Sequence, residues 1–179
     1  MNFFDKNNHF NIANIITFAN VACGTLALYF ITKEQFTIAI ILAWIAGALD
    51  IADGKVARKY NLSTEFGIQL DSFADFLSFV IMPAFLLFYS LKTNSLIVGI
   101  IFIYYIISGL RRLVAFNLKV ETGKVEKFFE GVPTPLGAIL LWILYLLHSY
   151  SIINSPFVIA LFVAIIGYLL NSKVKVPHP

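Results

Sequence analysis

Polar surface is what this sequence lacks. Of its 179 residues, 13% are charged and 59% hydrophobic, and the mean hydropathy is +0.83. A soluble domain of this length needs a polar shell that this composition cannot supply. Cysteine is nearly absent: Cys23 stands alone, which excludes disulfides within the chain and cysteine-based metal sites. A lipid-modified thiol fits poorly with Asn20 three places earlier, so a small helix-packing residue is the simpler role for Cys23. Histidine is scarce, and His9, His148 and His178 fall at ends and turns, as surface residues and not ligands. There is no low-complexity tract, no convincing repeat and no basic–aromatic cluster, so nucleic acid is not an expected partner. The N-terminus has Asp5 and Lys6 but neither a basic n-region nor a small-residue cleavage site, which does not fit a signal peptide.

Long apolar runs are abundant. Residues 12–31, 37–57, 67–91, 95–117, 135–149 and 152–170 read as spans of a bilayer whose core takes about 20 apolar residues. The expected fold is an all-α integral membrane bundle, one six-helix transmembrane domain over residues 1–179. Basic residues orient it. Lys6, Lys55, Arg58, Lys59, Arg111, Arg112, Lys119, Lys124, Lys127, Lys173 and Lys175 fall on one face, and Lys33 and Lys92 on the other. By the positive-inside rule the rich face is cytoplasmic, giving a multi-pass protein of the cell membrane with both termini inside. The net charge of +3 is then this asymmetry, with anionic lipid contact as its one further use.

Polar punctuation falls at 33–35, 59–65, 92–94 and 119–130, and after Asn171. The second and fourth stretches lie on the cytoplasmic face beside polar intramembrane residues, so a site open to the cytoplasm is expected. Gly131 and Pro133 predict a stiff turn before a fifth span that opens at Thr134 and Pro135. Trp44 and Trp142 need no role beyond packing or interface anchoring.

Against this background four aspartates stand out. Asp50, Asp53, Gly54 and Ala57 follow i, i+3, i+4, i+7 spacing and share one helical face. Gly67, Asp71, Asp75 and Ser78 form a second stripe. One aspartate near a helix end can be a solvated cap, but carboxylates on two intramembrane stripes mark a functional site. Clustered in a low dielectric they cannot all ionise without cations, and all-oxygen donors favour hard divalent ions such as Mg²⁺, Mn²⁺ or Ca²⁺. Such ions commonly serve phosphates, where two of them stabilise attacking and leaving oxygens. Arg58, just past the first stripe, suits a phosphate contact, although a basic residue at a cytoplasmic helix end is also ordinary.

The run Asp50-x-x-Asp53-Gly54-x-x-Ala57-Arg58, eight residues, Gly67-x-x-x-Asp71-x-x-x-Asp75 resembles the signature of the CDP-alcohol phosphatidyltransferase family at every fixed position. The six-span layout extends the resemblance over essentially the whole chain. It implies displacement of CMP from a CDP-linked lipid by an acceptor alcohol, two divalent cations (Mg²⁺ or Mn²⁺), and a homodimer. It also implies metal ligation by Asp50, Asp53 and Asp71, with Asp71 bridging. Asp75 would be the general base and would also contact the second metal. Asn14, Thr17, Asp53, Gly54, Ala57, Arg58 and Gly67 would hold the cytidine diphosphate; Asn14 and Thr17, with Asn20, match the family's first-helix Asn-x-x-Thr-x-x-Asn.

The acceptor is read elsewhere. Arg111-Arg112-Leu-Val-Ala115-Phe-Asn117 and Phe129-Glu-Gly131-Val-Pro133-Thr134-Pro135 resemble stretches of the phosphatidylserine synthases of that family, which implies L-serine. Ala115 departs from them, standing where a second arginine is usual; Arg111, one turn earlier, can supply that charge. Ala13 replaces a common proline, which bears on how the first helix begins. An arginine grips a carboxylate in a two-pronged contact, so Arg111 and Arg112 are the acceptor candidates, with Ser78, Asn117 and Thr134 beside them. Glu121, Glu126 and Glu130 are equal candidates for the serine ammonium. The donor is CDP-diacylglycerol or CDP-archaeol, since apolar helix faces do not distinguish ester from ether tails. The rivals are the same chemistry on glycerol phosphate or an inositol phosphate, and a divalent-cation transporter. The transporter leaves Gly54, Ala57, Arg58 and Gly67 unexplained.

Overall fold

A computed structural model of the chain describes residues 3–6, 8–121, 128–172 and 175–177, with backbone alone at 119–121, 128–130 and 175–177. Lys124, Glu126, Lys127, Lys173 and His178 lie outside the described residues. The helices in chain order are α1 (Ile12–Thr32), α2 (Phe36–Lys59), α3 (Glu65–Asp75), α4 (Met82–Ser90), α5 (Leu96–Glu121), α6 (Thr134–Ser149) and α7 (Pro156–Leu170). A π-helical stretch, Phe76–Ile81, joins α3 to α4, so Glu65–Ser90 is one continuous helical run. Among the described residues α1, α2, Glu65–Ser90 and α5 are long and apolar enough to cross a membrane. The remaining two apolar helices, α6 and α7, have 16 and 15 residues.

Helices therefore form at all six expected places, with local differences. The last begins at Pro156 and not at 152, because Ser151 adopts a left-handed φ of 58° and Pro156 is suited to a first turn where no N–H is needed. Two short strands were not expected: β1 (Phe128–Glu130) pairs antiparallel with β2 (Lys175–Pro177), Phe129 opposite Val176.

The chain divides into two compact units, Met1–Ser78 and Phe79–Pro179. In the first, α1 packs against α2 and α3 through small residues. Gly24, Ala27, Ala39 and Ala46 are buried, and a Cβ on Gly24 would lie 3.1 Å from both Leu77 and Ser78. Small residues let helix backbones approach closely where no hydrophobic effect drives them together. Side-chain caps fix two helix starts: Asn11 accepts from the Asn14 N–H, and Thr64 from the Gly67 N–H, both at 3.0 Å.

In the second unit α5 lies close against α7, where a Cβ on Gly167 would meet Tyr104 at 2.9 Å. The predicted turn is present, with Gly131 at φ +85°. His148 is half-buried and not a surface residue: its ring nitrogens face the carbonyls of Ile153 and Ser90, each at 3.1 Å. Large apolar side chains remain outward, among them Trp44 at 74% and Phe73 at 70% exposure, as a lipid-facing surface requires.

Candidate active site

Both aspartate stripes lie in the first unit. Asp50 and Asp53 sit inside α2, away from its ends, so neither is a cap. One carboxylate oxygen from each of Asp50, Asp53 and Asp71 lies within 4.8 Å of the others. Asp75 lies one turn further along α3, within hydrogen-bonding reach of Asp50. Three carboxylates converging from two helices thus have a fourth beside them, an arrangement that sequence spacing alone does not fix.

Neighbouring side chains hold these groups in place. Asp53 is buried, and the Thr17 hydroxyl donates to its Oδ2 at 2.7 Å. Ser78, buried in the π-helical stretch, donates to Asn20 Oδ1 at 2.8 Å, and Asn20 Nδ2 faces Asp50 Oδ1 at 3.4 Å. The extra residue in a π turn re-aims the side chains that follow it, a device frequent at functional sites. Here Ser78 is engaged with Asn20, which in turn orients Asp50.

A cavity of about 190 Å³ opens beside the carboxylates. Asn14, Thr17, Asp53, Gly54, Ala57, Arg58 and Gly67 all line it, together with Asp71. Its glycines have local reasons. A Cβ on Gly54 would lie 3.4 Å from Arg58 Nη1, in ordinary van der Waals contact, so the guanidinium folds back over the helix face at this glycine. A Cβ on Gly67 would come within 3.0 Å of Asn14 Oδ1 and 3.3 Å of Thr64 Oγ1, narrowing the cavity wall. Leu62, Ser63 and Thr64 of the α2–α3 connection line it too. Sequence reasoning missed them because they fall among the unspecified residues between Arg58 and Gly67; the Thr64-x-x-Gly67 cap was the available signal. Asn20, noted only within the first-helix pattern, was also missed as a partner of Asp50.

The acceptor candidates other than Ser78 belong to the second unit. Arg112 is nine-tenths buried, and its Nε donates to the Val132 carbonyl at 3.3 Å, tying α5 to the turn before α6. Arg111 is exposed, Asn117 half-buried, and Thr134 buried as the first residue of α6. Glu121 and Glu130 are described by backbone alone, at the end of α5 and in β1.

The donor set of Asp50, Asp53 and Asp71 is all oxygen and compact, which fits hard divalent cations. Fold and site together define a multi-pass helical membrane protein whose clustered carboxylates border a polar cavity. More narrowly, the chain belongs to the CDP-alcohol phosphatidyltransferase family, whose sequence profile matches residues 10–170 and so runs through both units. Curated relatives carry a common name, CDP-diacylglycerol–serine O-phosphatidyltransferase. The one from Bacillus subtilis (strain 168) is 34% identical over 166 residues, 92% of this chain and 88% of its own length. That from Methanocaldococcus jannaschii is 33% identical over 167 residues, 93% of this chain and 73% of its own. A third, from Helicobacter pylori (strain 26695), is 28% identical over 169 residues, 92% and 71% of the two chains. Membership sets the transporter reading aside.

Proposed function

We propose that this enzyme transfers the phosphatidyl group of CDP-diacylglycerol, or of an ether-linked counterpart, to the hydroxyl of L-serine, releasing CMP. The observation that carries the reading is the three-carboxylate cluster at the edge of a cavity lined by every residue that the family signature assigns to the nucleotide. The names of the relatives support serine as the acceptor.

In this mechanism a bond forms between the serine oxygen and the phosphorus bearing the lipid, and the bond from that phosphorus to CMP breaks. Asp75, outside the three-carboxylate cluster, takes the hydroxyl proton. Asp50, Asp53 and Asp71 would hold two divalent cations, Mg²⁺ or Mn²⁺, which when bound would supply charge neutralisation at the pyrophosphate and lower the proton affinity of the attacking hydroxyl. Arg58, lying over Gly54, meets phosphate oxygens; Asn14, Thr17, Ala57 and Gly67 form the nucleotide wall. Thr17 keeps Asp53 in register, as the Ser78–Asn20 pair does Asp50. The resemblance to phosphatidylserine synthases makes Arg111 and Arg112 the candidates to select the serine carboxylate. The active site faces the cytoplasm, where serine is soluble, and the donor enters from the bilayer.

The test is CMP release by purified protein in detergent with CDP-diacylglycerol and Mg²⁺ or Mn²⁺. Release that requires both serine and metal is the expected result. Release with glycerol phosphate or an inositol phosphate in place of serine would retain the chemistry and overturn the acceptor. No release with any alcohol would overturn the reading itself.

A further inference from the structure

The residues before α1 make contacts that a passive tail would not. Ile12 N–H donates to the Phe3 carbonyl at 2.9 Å, Asn11 N–H to the Asn8 carbonyl at 3.0 Å, and Phe10 N–H to Asn8 Oδ1 at 3.0 Å, so residues 3–6 and 8–10 curl back on the start of the helix. From there two rings reach the two sides of the α2–α3 connection, Tyr60 just after α2 and Phe66 in the first turn of α3. Phe4 packs on Tyr60 with centroids 5.1 Å apart, and the His9 ring packs on Phe66 at 4.4 Å. Tyr60 and Phe66 bracket Leu62, Ser63 and Thr64, the residues of that connection that wall the cavity.

A third contact acts on the cavity wall itself. Asn14 Nδ2 donates to the His9 carbonyl at 3.0 Å. A side-chain amide can turn over and exchange its oxygen for its nitrogen at little steric cost. The His9 carbonyl only accepts, so it fixes the nitrogen toward itself. The oxygen is thereby left on the side of Gly67, another residue of the cavity wall, as an acceptor.

We propose that residues 3–6 and 8–10 are a positioning strap for the nucleotide end of the site, acting through Phe4–Tyr60, His9–Phe66 and the His9 carbonyl on Asn14. The strap does not touch the reacting atoms. It sets the polarity of the Asn14 amide and the placement of the 62–64 wall, and so sets affinity for the cytidine diphosphate part of the donor, leaving the transfer step to the aspartates. The inference rests on the nucleotide reading of the cavity.

The experiment compares the full-length protein with Phe4→Ala, His9→Ala and His9→Phe in detergent, measuring Kd for CDP with Mg²⁺ by calorimetry and steady-state kinetics with CDP-diacylglycerol and serine. Loss of an aromatic pair is expected to raise Kd for CDP and KM for the lipid donor by up to about tenfold in each alanine variant. The expected kcat and KM for serine stay within about twofold of the parent, the size of the weakest aromatic pairs. His9→Phe, which keeps a ring on Phe66, is expected to restore affinity. Wild-type-like CDP binding in both alanine variants would overturn the strap while leaving the functional reading intact. An equal fall in kcat and both affinities, unrescued by His9→Phe, would also overturn it, as a sign of general loss of structure. Failure of the parent to bind CDP at all would overturn the nucleotide reading, and the strap with it.

Discussion

Among the four aspartates, position separates roles that residue type does not. Asp50, Asp53 and Asp71 bring oxygens within 4.8 Å of one another, whereas Asp75 stands beside that group, in reach of Asp50. In the proposed mechanism the three would hold cations and the fourth would accept the proton of the attacking hydroxyl. Asp75→Asn keeps shape and hydrogen bonding but removes the base. Its kcat is expected to fall by about 10²–10⁴-fold, the usual contribution of a positioned general base, while CDP binding persists. Single-turnover rates alongside CDP calorimetry check this, and a variant turning over at the parental rate would refute the assignment of the base.

At the scale of elements, small residues and an irregular turn do most to place the side chains. The Glu65–Ser90 run is interrupted by the π-helical stretch at Phe76–Ile81, which turns Ser78 onto Asn20. Nothing in the apolar sequence Phe-Leu-Ser-Phe-Val-Ile announces it, because a π turn is set by what the helix packs against and not by propensity. Gly131, by contrast, was legible as a breaker. Its φ of +85° and its nearness to α7, where a Cβ would lie 2.5 Å from the Leu170 carbonyl oxygen, leave room for no other residue. Gly131→Ala forces a left-handed alanine, costing about 1–2 kcal/mol, against a backbone atom that cannot move aside. A fall in thermal midpoint of about 5 °C or more is expected in detergent, on the scale of about 2–4 °C per kcal/mol for chains of this size. An unchanged midpoint would mean that the turn can relax.

At the scale of the whole molecule, the apolar surface and the placement of basic residues argue together. Outward Trp44, Phe73 and Leu96 need lipid, and Lys33 and Lys92 are the two basic residues assigned away from the cytoplasm. With Cys23 as the single native thiol, a Cys23→Ala background permits one-at-a-time cysteine placement. A cysteine at Asn61 is expected to react with an impermeant maleimide only after the membrane is opened, and one at Thr93 in intact cells. The reverse pattern would invert the topology and move the site to the outer face.

The sequence by itself determined the bilayer, the six apolar helices and the aspartate stripes, because hydropathy, helical period and a fixed motif are local properties of the chain. The family resemblance also marked seven residues that line one cavity, Asn14, Thr17, Asp53, Gly54, Ala57, Arg58 and Gly67, of which helical spacing by itself groups Asp53, Gly54 and Ala57. Tertiary structure decided that Asp50, Asp53 and Asp71 converge with Asp75 beside them, how Asn20 joins Ser78 to Asp50, and that the connection after Arg58 lines the cavity. It also gave the residues before α1 their contacts with that connection. These are relations between residues far apart in the chain, fixed by how helices pack and where a π turn falls, and single-sequence periodicity carries no record of them.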